Sequence, residues 1–243
     1  MARRRLPAGA RARALTTVER LRPEYPHATT ALVHESPLQL LVATILSAQT
    51  TDERVNMVTP MLFARYPTAH ALAQACQEDV EELIRSTGFF RMKARAIREM
   101  CQDVMGRFGG EVPPRMEDLV TLRGVGRKTA NVVLGVAFGV PGFPVDTHVT
   151  RLTRRLGLTS ATDPVDIETD VTSMVPKEEW TLLSLRLILH GRGVCVARTP
   201  RCAQCVLNDI CPSAQLGPLV VGPAQRAGQA TARTRRVRSP RLS

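Results

Sequence analysis

Four cysteines crowd into 17 residues as Cys195-x6-Cys202-x2-Cys205-x5-Cys211. In a chain expected to be intracellular, so dense a cluster points to a metal site, because disulfides there tend to be reduced. Four thiolates leaving no open position suit structural zinc or a 4Fe–4S cluster. Spacing alone does not choose between them, although C-x2-C taken by itself leans toward zinc. The loop between the first two ligands carries Arg198 and Arg201, either a basic surface fixed by the metal or a counterweight to thiolate charge. Cys76 and Cys101 fall in helical patterns and are expected to be inert core residues.

A second kind of chemistry needs an amine, and the only lysines are Lys93, Lys128 and Lys177. Lys128 ends the run Leu122-Arg123-Gly124-Val125-Gly126-Arg127-Lys128. Two glycines flanking one apolar residue allow a sharp turn and a close backbone approach. A helix starting there points its free N–H groups and positive dipole end outward, an arrangement suited to phosphate. Arg127 and Lys128 stand against that dipole, which disfavours cations and invites a functional reason. The plainer reading is a helical corner with Val125 in the core. Farther on, Val145-Asp146-Thr147-His148 precedes the apolar positions Val149, Leu152 and Leu156. Asp146 is placed as an N-cap, and the cap would itself hold a carboxylate at the rim of a cleft. His148 reads as a structural hydrogen-bonding residue.

These residues need helices to place them, and no segment alternates cleanly enough for a strand. Ser36-Pro37-Leu38-Gln39 combines an N-cap, a first-turn proline and Gln at N3. Thr50 with Glu53 repeats the capping pattern before a helix ending near Tyr66-Pro67. Helices are predicted at 78–86 (stopped by Gly88), 91–108 (stopped by Gly109-Gly110), 115–122, 127–138, 147–156, 164–174 and 177–190, the last closing at Gly191. Nine or ten short helices with short connections give an all-α fold.

Of the 243 residues, the two ends carry the charge. Residues 1–22 and 216–243 are each +6, while the 193 residues between them total −1. Cationic ends of this kind attract polyanions through a salt-sensitive, sequence-independent force. The stretch Ser36–Thr51 contains Gln, Ser and Thr and is too short and polar to span a bilayer, so no membrane partner is expected. The basic start lacks an apolar core for a secretory signal.

The hairpin Leu122–Asn131, the turn Val145–His148, the segment Leu46-Ser47-Ala48-Gln49 and the cysteine cluster following His190-Gly191-Arg192 occur together and in order. In this combination the chain resembles the endonuclease III family, bifunctional DNA glycosylases/AP lyases of the helix–hairpin–helix superfamily, over about residues 15–213. The resemblance implies two helical domains with a DNA cleft between them. One is a six-helix domain, residues 31–145, with the helix–hairpin–helix at 115–138. The other is a discontinuous iron–sulfur domain, residues 15–30 and 146–214. Residues 1–14 and 215–243 are expected to be a basic disordered arm and tail. The resemblance replaces zinc with a 4Fe–4S cluster on Cys195, Cys202, Cys205 and Cys211.

It further implies that Lys128 is the nucleophile and Asp146 its carboxylate partner, acting on oxidised pyrimidines in double-stranded damaged DNA. Gly124, Val125 and Gly126 would offer backbone amides to phosphate, with Arg127, Arg198 and Arg201 as basic contacts. Gln49 matches the residue that fills the gap left by a flipped nucleotide, and Phe89 the wedge position, where the family often has leucine; otherwise Phe89 is a core aromatic. Arg123 stands where proline is usual. A monomer, cytoplasmic and nucleoid-associated if bacterial, is expected. Two other functions compete. An adenine-mismatch glycosylase would need a catalytic Glu near position 43, where this chain has Ala43; a non-catalytic DNA-binding module would not need Lys128.

Overall fold

The computed structural model describes residues 5–214, and within them every regular element is helical. In chain order the helices are α1 (Ala10–Glu24), α2 (Pro37–Leu46), α3 (Asp52–Arg65), α4 (Ala69–Gln74), α5 (Gln77–Ile84) and α6 (Phe90–Phe108). They continue with α7 (Met116–Leu119), α8 (Arg127–Ala137), α9 (Thr147–Arg155), α10 (Pro164–Thr172) and α11 (Trp180–Gly193). None of these helices is long and apolar enough to cross a membrane.

Local chemistry sets most of the boundaries. The Ser36 hydroxyl accepts from the Gln39 N–H, and Gln39 Oε1 reaches back to the Glu35 N–H rather than to Ser36 itself. Both bonds satisfy donors that a helix start would leave bare. The cap of α3 lies one residue beyond the expected position: Thr51, not Thr50, accepts from the Arg54 N–H. Thr50 is drawn away by contacts with Thr87 and Lys93. Gly109 ends α6 in the left-handed conformation, which costs glycine little.

Gly191 does not end α11, which continues to Gly193. A Cβ at Gly191 would lie 3.0 Å from both the Cβ and Nδ1 of His148, so this glycine serves close packing rather than termination. Cys76 is also placed differently: it is the exposed N-cap of α5, its thiol donating to Glu78 Oε2 at 2.8 Å. Cys101 is buried, and that burial pushes its thiol up to about 12.

Two apolar cores form. The first gathers α2 through α8, with Leu40, Leu41, Leu46, Ile97, Met100 and Leu119 among its fully buried side chains. The second joins α1 to α9, α10 and α11 around Phe143, Leu21 and Leu152. Helix α1 starts inside the stretch expected to be a disordered arm. Ala10 and Ala14 are buried, and the Arg13 guanidinium donates to the Leu156 and Gly157 carbonyls at 2.8 and 2.7 Å. A face of small residues and one arginine with fixed acceptors are enough to order it. The expected tail begins beyond Ala214 and lies outside the described residues.

The cores meet where α8 crosses α11. A Cβ on Gly135 would sit 2.5 Å from Thr181 Oγ1 and Cγ2. Thr181 cannot swing aside without loss, because its hydroxyl accepts from the Gly142 N–H and donates to the Gly142 carbonyl. Gly→Ala inside a helix ordinarily adds about 0.5–1 kcal/mol of stability. Here overlap reverses the sign: Gly135→Ala is expected to lower the unfolding free energy by about 1–3 kcal/mol, read from the urea midpoint.

Candidate active site and cysteine centre

Between α7 and α8 the chain makes a tight corner. The Val125 side chain is buried in the first core, and its N–H donates to the Leu122 carbonyl at 3.1 Å. Gly124 is left-handed at φ +77, and a Cβ there would meet the Ala96 Cβ at 3.1 Å. Both the backbone conformation and the contact with α6 therefore call for glycine. The first intrahelical bond of α8 runs from the Ala130 N–H to the Gly126 carbonyl, leaving the earlier amides at the helix start without helical acceptors. The Val125 amide, read as a phosphate contact, is committed to the turn.

Lys128 stands exposed on the first turn of α8. Arg127 beside it turns toward the second core, where its Nε and Nη2 bond both oxygens of Glu168 at 2.8 and 2.9 Å. This two-point pairing raises the Arg127 pKa and ties α8 to α10. Sequence reading placed Arg127 on DNA; in the fold its guanidinium is already occupied by a carboxylate.

Asp146 caps α9, Oδ1 accepting from the His148 and Val149 N–H groups at 2.8 and 2.9 Å. Both cap bonds fall on one oxygen, so the carboxylate is oriented without using Oδ2. Lys128 and Asp146 line the same pocket, which opens between the cores with Ser47, Asp52, Ile188 and Arg192 on its walls. Asp52 and Arg192 form an ion pair at 2.8 Å across it. The sequence gives no sign of this pairing, because each looks like an ordinary helix-terminal charge until the fold brings α3 and α11 together. His148 has a structural place, its Nδ1 accepting from Arg151 at 3.1 Å.

Gln49 and Phe89 sit on separate turns. Both are exposed, and both are left-handed, at φ 54 and 47. Phe89 is 60% exposed, so the core-aromatic reading of that residue fails.

Just past the C-terminal end of α11, all four clustered cysteines line one pocket with Leu152, Leu156 and Leu207. Among the described residues, no three His, Cys, Asp or Glu side chains converge as they would on a single ion. Four cysteines around one pocket form an all-thiolate donor set of the kind that holds an iron–sulfur cluster or zinc. The surroundings suit thiolates as well. Arg155 donates to Cys195 Sγ at 3.3 Å, the Leu207 N–H to Cys205 Sγ at 3.4 Å, and His190 Nε2 lies 3.2 Å from Cys205 Sγ. Burial, with the neighbouring cysteines adding, holds the Cys205 and Cys211 thiols up. A positive metal core would offset that cost.

Arg151 donates to the Gly191 and Cys195 carbonyls, while Arg155 reaches those of Val196 and Ala197. These two arginines, four apart on α9, pin the loop that presents Arg198 and Arg201, both exposed. Their i,i+4 spacing was visible in the sequence, but nothing there showed that they face the cysteines.

Comparison with known proteins agrees with this geometry. Residues 42–177 match the HhH-GPD superfamily base excision DNA repair protein model, and residues 195–211 match the iron–sulfur binding domain of endonuclease III. Endonuclease III of Synechocystis is 58% identical over 80% of this chain and 90% of its own length. That of Escherichia coli K12 is 40% identical over 83% and 95%. Two solved structures, a non-covalent endonuclease III–DNA complex and a trapped endonuclease III–DNA covalent intermediate, each superpose with a TM-score of 0.80 at 41% identity, covering 84% of this chain and 96% of theirs. The chain belongs to the endonuclease III family of iron–sulfur base excision DNA repair enzymes.

Proposed function

We propose that this enzyme excises oxidised pyrimidines from duplex DNA and cuts the strand 3′ to the lesion, acting as a monomer with Lys128 as nucleophile. The observation that carries the reading is the shared pocket: an exposed amine at the start of α8 and a cap-oriented carboxylate at the start of α9 open onto one cleft between two cores.

The chemistry follows from those groups. Reaching C1′ requires the nucleotide to leave the stack. The neutral Lys128 amine attacks C1′ and the C1′–N bond to the base breaks, the base leaving with the bonding pair. Asp146 stabilises the developing positive charge or takes a proton from the amine. The sugar ring opens to a Schiff base, an electron sink that allows loss of a C2′ proton and cleavage of the C3′–O bond. Water later releases the lysine.

The amides of Gly124 and Gly126 grip a backbone phosphate beside the reacting sugar, and Arg198 and Arg201 add contacts from the cysteine loop. The iron–sulfur cluster, held by Cys195, Cys202, Cys205 and Cys211, fixes the fold of that loop. The two walls of the cleft correspond to the six-helix and iron–sulfur domains. Lys128 distinguishes this reading from the binding-module alternative, and the absence of any glutamate in residues 36–52 speaks against adenine-mismatch chemistry.

Lys128→Ala is expected to abolish borohydride trapping on an abasic duplex while retaining DNA binding; persistent trapping would move the nucleophile elsewhere. Cys205→Ser is expected to lose the broad visible thiolate-to-iron absorbance and to melt at a lower temperature than the wild type. Deleting residues 216–243 removes six positive charges. Its expected effect is weaker DNA binding with a shallower dependence of log K on log salt, while single-turnover chemistry is preserved.

A further inference from the structure

Among the described residues, the only non-glycine residues with positive φ are Gln49 and Phe89. A side chain in this region costs about 1 kcal/mol or more and persists only where its surroundings hold it. Both residues are exposed, so packing of their own side chains does not explain the conformation. What holds the two turns lies beneath them.

Lys93, on the first turn of α6, is 6% exposed. Its ammonium donates three hydrogen bonds of 2.8 Å, to the Leu46 carbonyl, Thr50 Oγ1 and the Thr87 carbonyl. Leu46 and Thr50 bracket the Gln49 turn, and Thr87 lies two residues before Phe89. The Thr50 hydroxyl also donates to the Thr87 carbonyl, closing the link between the turns. All three donors of the ammonium are used, and every partner is a neutral oxygen. Burial pushes the lysine pKa down, and no carboxylate offsets the cost. Retaining a cation here for packing alone makes little sense when methionine would fill the space. The Gln49 turn also starts at Ser47, which lines the pocket holding Lys128.

We propose that Lys93 is a positioning residue that staples the Gln49 turn to the Phe89 turn, so that the two exposed side chains enter the duplex as one rigid pair. The inference rests on the base-excision reading above and adds to it a residue that touches neither DNA nor the reacting atoms. Opening a base stack costs a few kcal/mol. A pair of turns already locked in place adds little ordering cost to that, whereas untied turns must be ordered during insertion.

The test compares the full-length wild type with Lys93→Met and Thr50→Val on two substrates. One is a duplex containing an oxidised pyrimidine with 2-aminopurine as the opposite base. The other is a single-stranded abasic oligonucleotide, where nothing needs unstacking. For Lys93→Met, single-turnover excision from the duplex is expected to fall by about tenfold or more and the 2-aminopurine fluorescence change to shrink. Borohydride trapping on the single strand should stay within about twofold of wild type. Thr50→Val should shift the same way by a smaller factor, and it carries the test alone if Lys93→Met lacks a cooperative melting transition. Wild-type excision and fluorescence amplitude would overturn the proposal, as would equal losses on both substrates. Failure of the wild type itself to trap on the single strand would instead count against the lyase reading.

Discussion

Everything at the cleft depends on how closely α8 and α11 approach each other. Gly135 lets the α8 backbone rest on Thr181, and Thr181 is locked in turn by two hydrogen bonds to Gly142. That contact fixes the start of α8 relative to the segment running from Gly142 to the Asp146 cap. The two-point Arg127–Glu168 pair reinforces it from the side. The amine and the carboxylate therefore share a pocket because two helices are allowed to touch where any side chain would hold them apart. Neither group needs a direct bond to the other for this to be so.

The charged groups divide into two kinds. Arg13, Arg151 and Arg155 turn inward onto backbone carbonyls, where they set the positions of α1 and of the cysteine loop. Arg198 and Arg201 stay exposed on that loop. Between the ends of the chain, the net charge is only −1. In the proposed function, phosphate contacts near the cleft would come from backbone amides and a few placed arginines, and long-range attraction from the cationic termini.

Much of this was legible from the sequence, and the failures have physical causes. Glycine spacing, Asp146 before an apolar period and four cysteines in 17 residues encode local chemistry, so the hairpin, the cap and the metal centre could be read directly. The first turn of the helix at Ala10–Glu24 was assigned to the disordered arm because its ordering comes from a distant partner, the Leu156–Gly157 carbonyls held by Arg13. Gly191 was misread because a glycine chosen for close packing looks the same as one chosen to end a helix. The α3 cap slipped by one residue because Thr50 had been taken by Lys93, a contact 43 positions away in sequence. The parts played by Lys93, Asp52 and Arg192 had no local signal: each takes its role from elements that meet only in the fold.

The central claim is that the amine at the start of α8 bonds to the sugar. Its most direct test is to reduce the enzyme–abasic DNA adduct with borohydride, digest it and locate the modified residue by mass spectrometry. The account requires the deoxyribose remnant on Lys128. Attachment to Lys93, to Lys177 or to the terminal amine would contradict it.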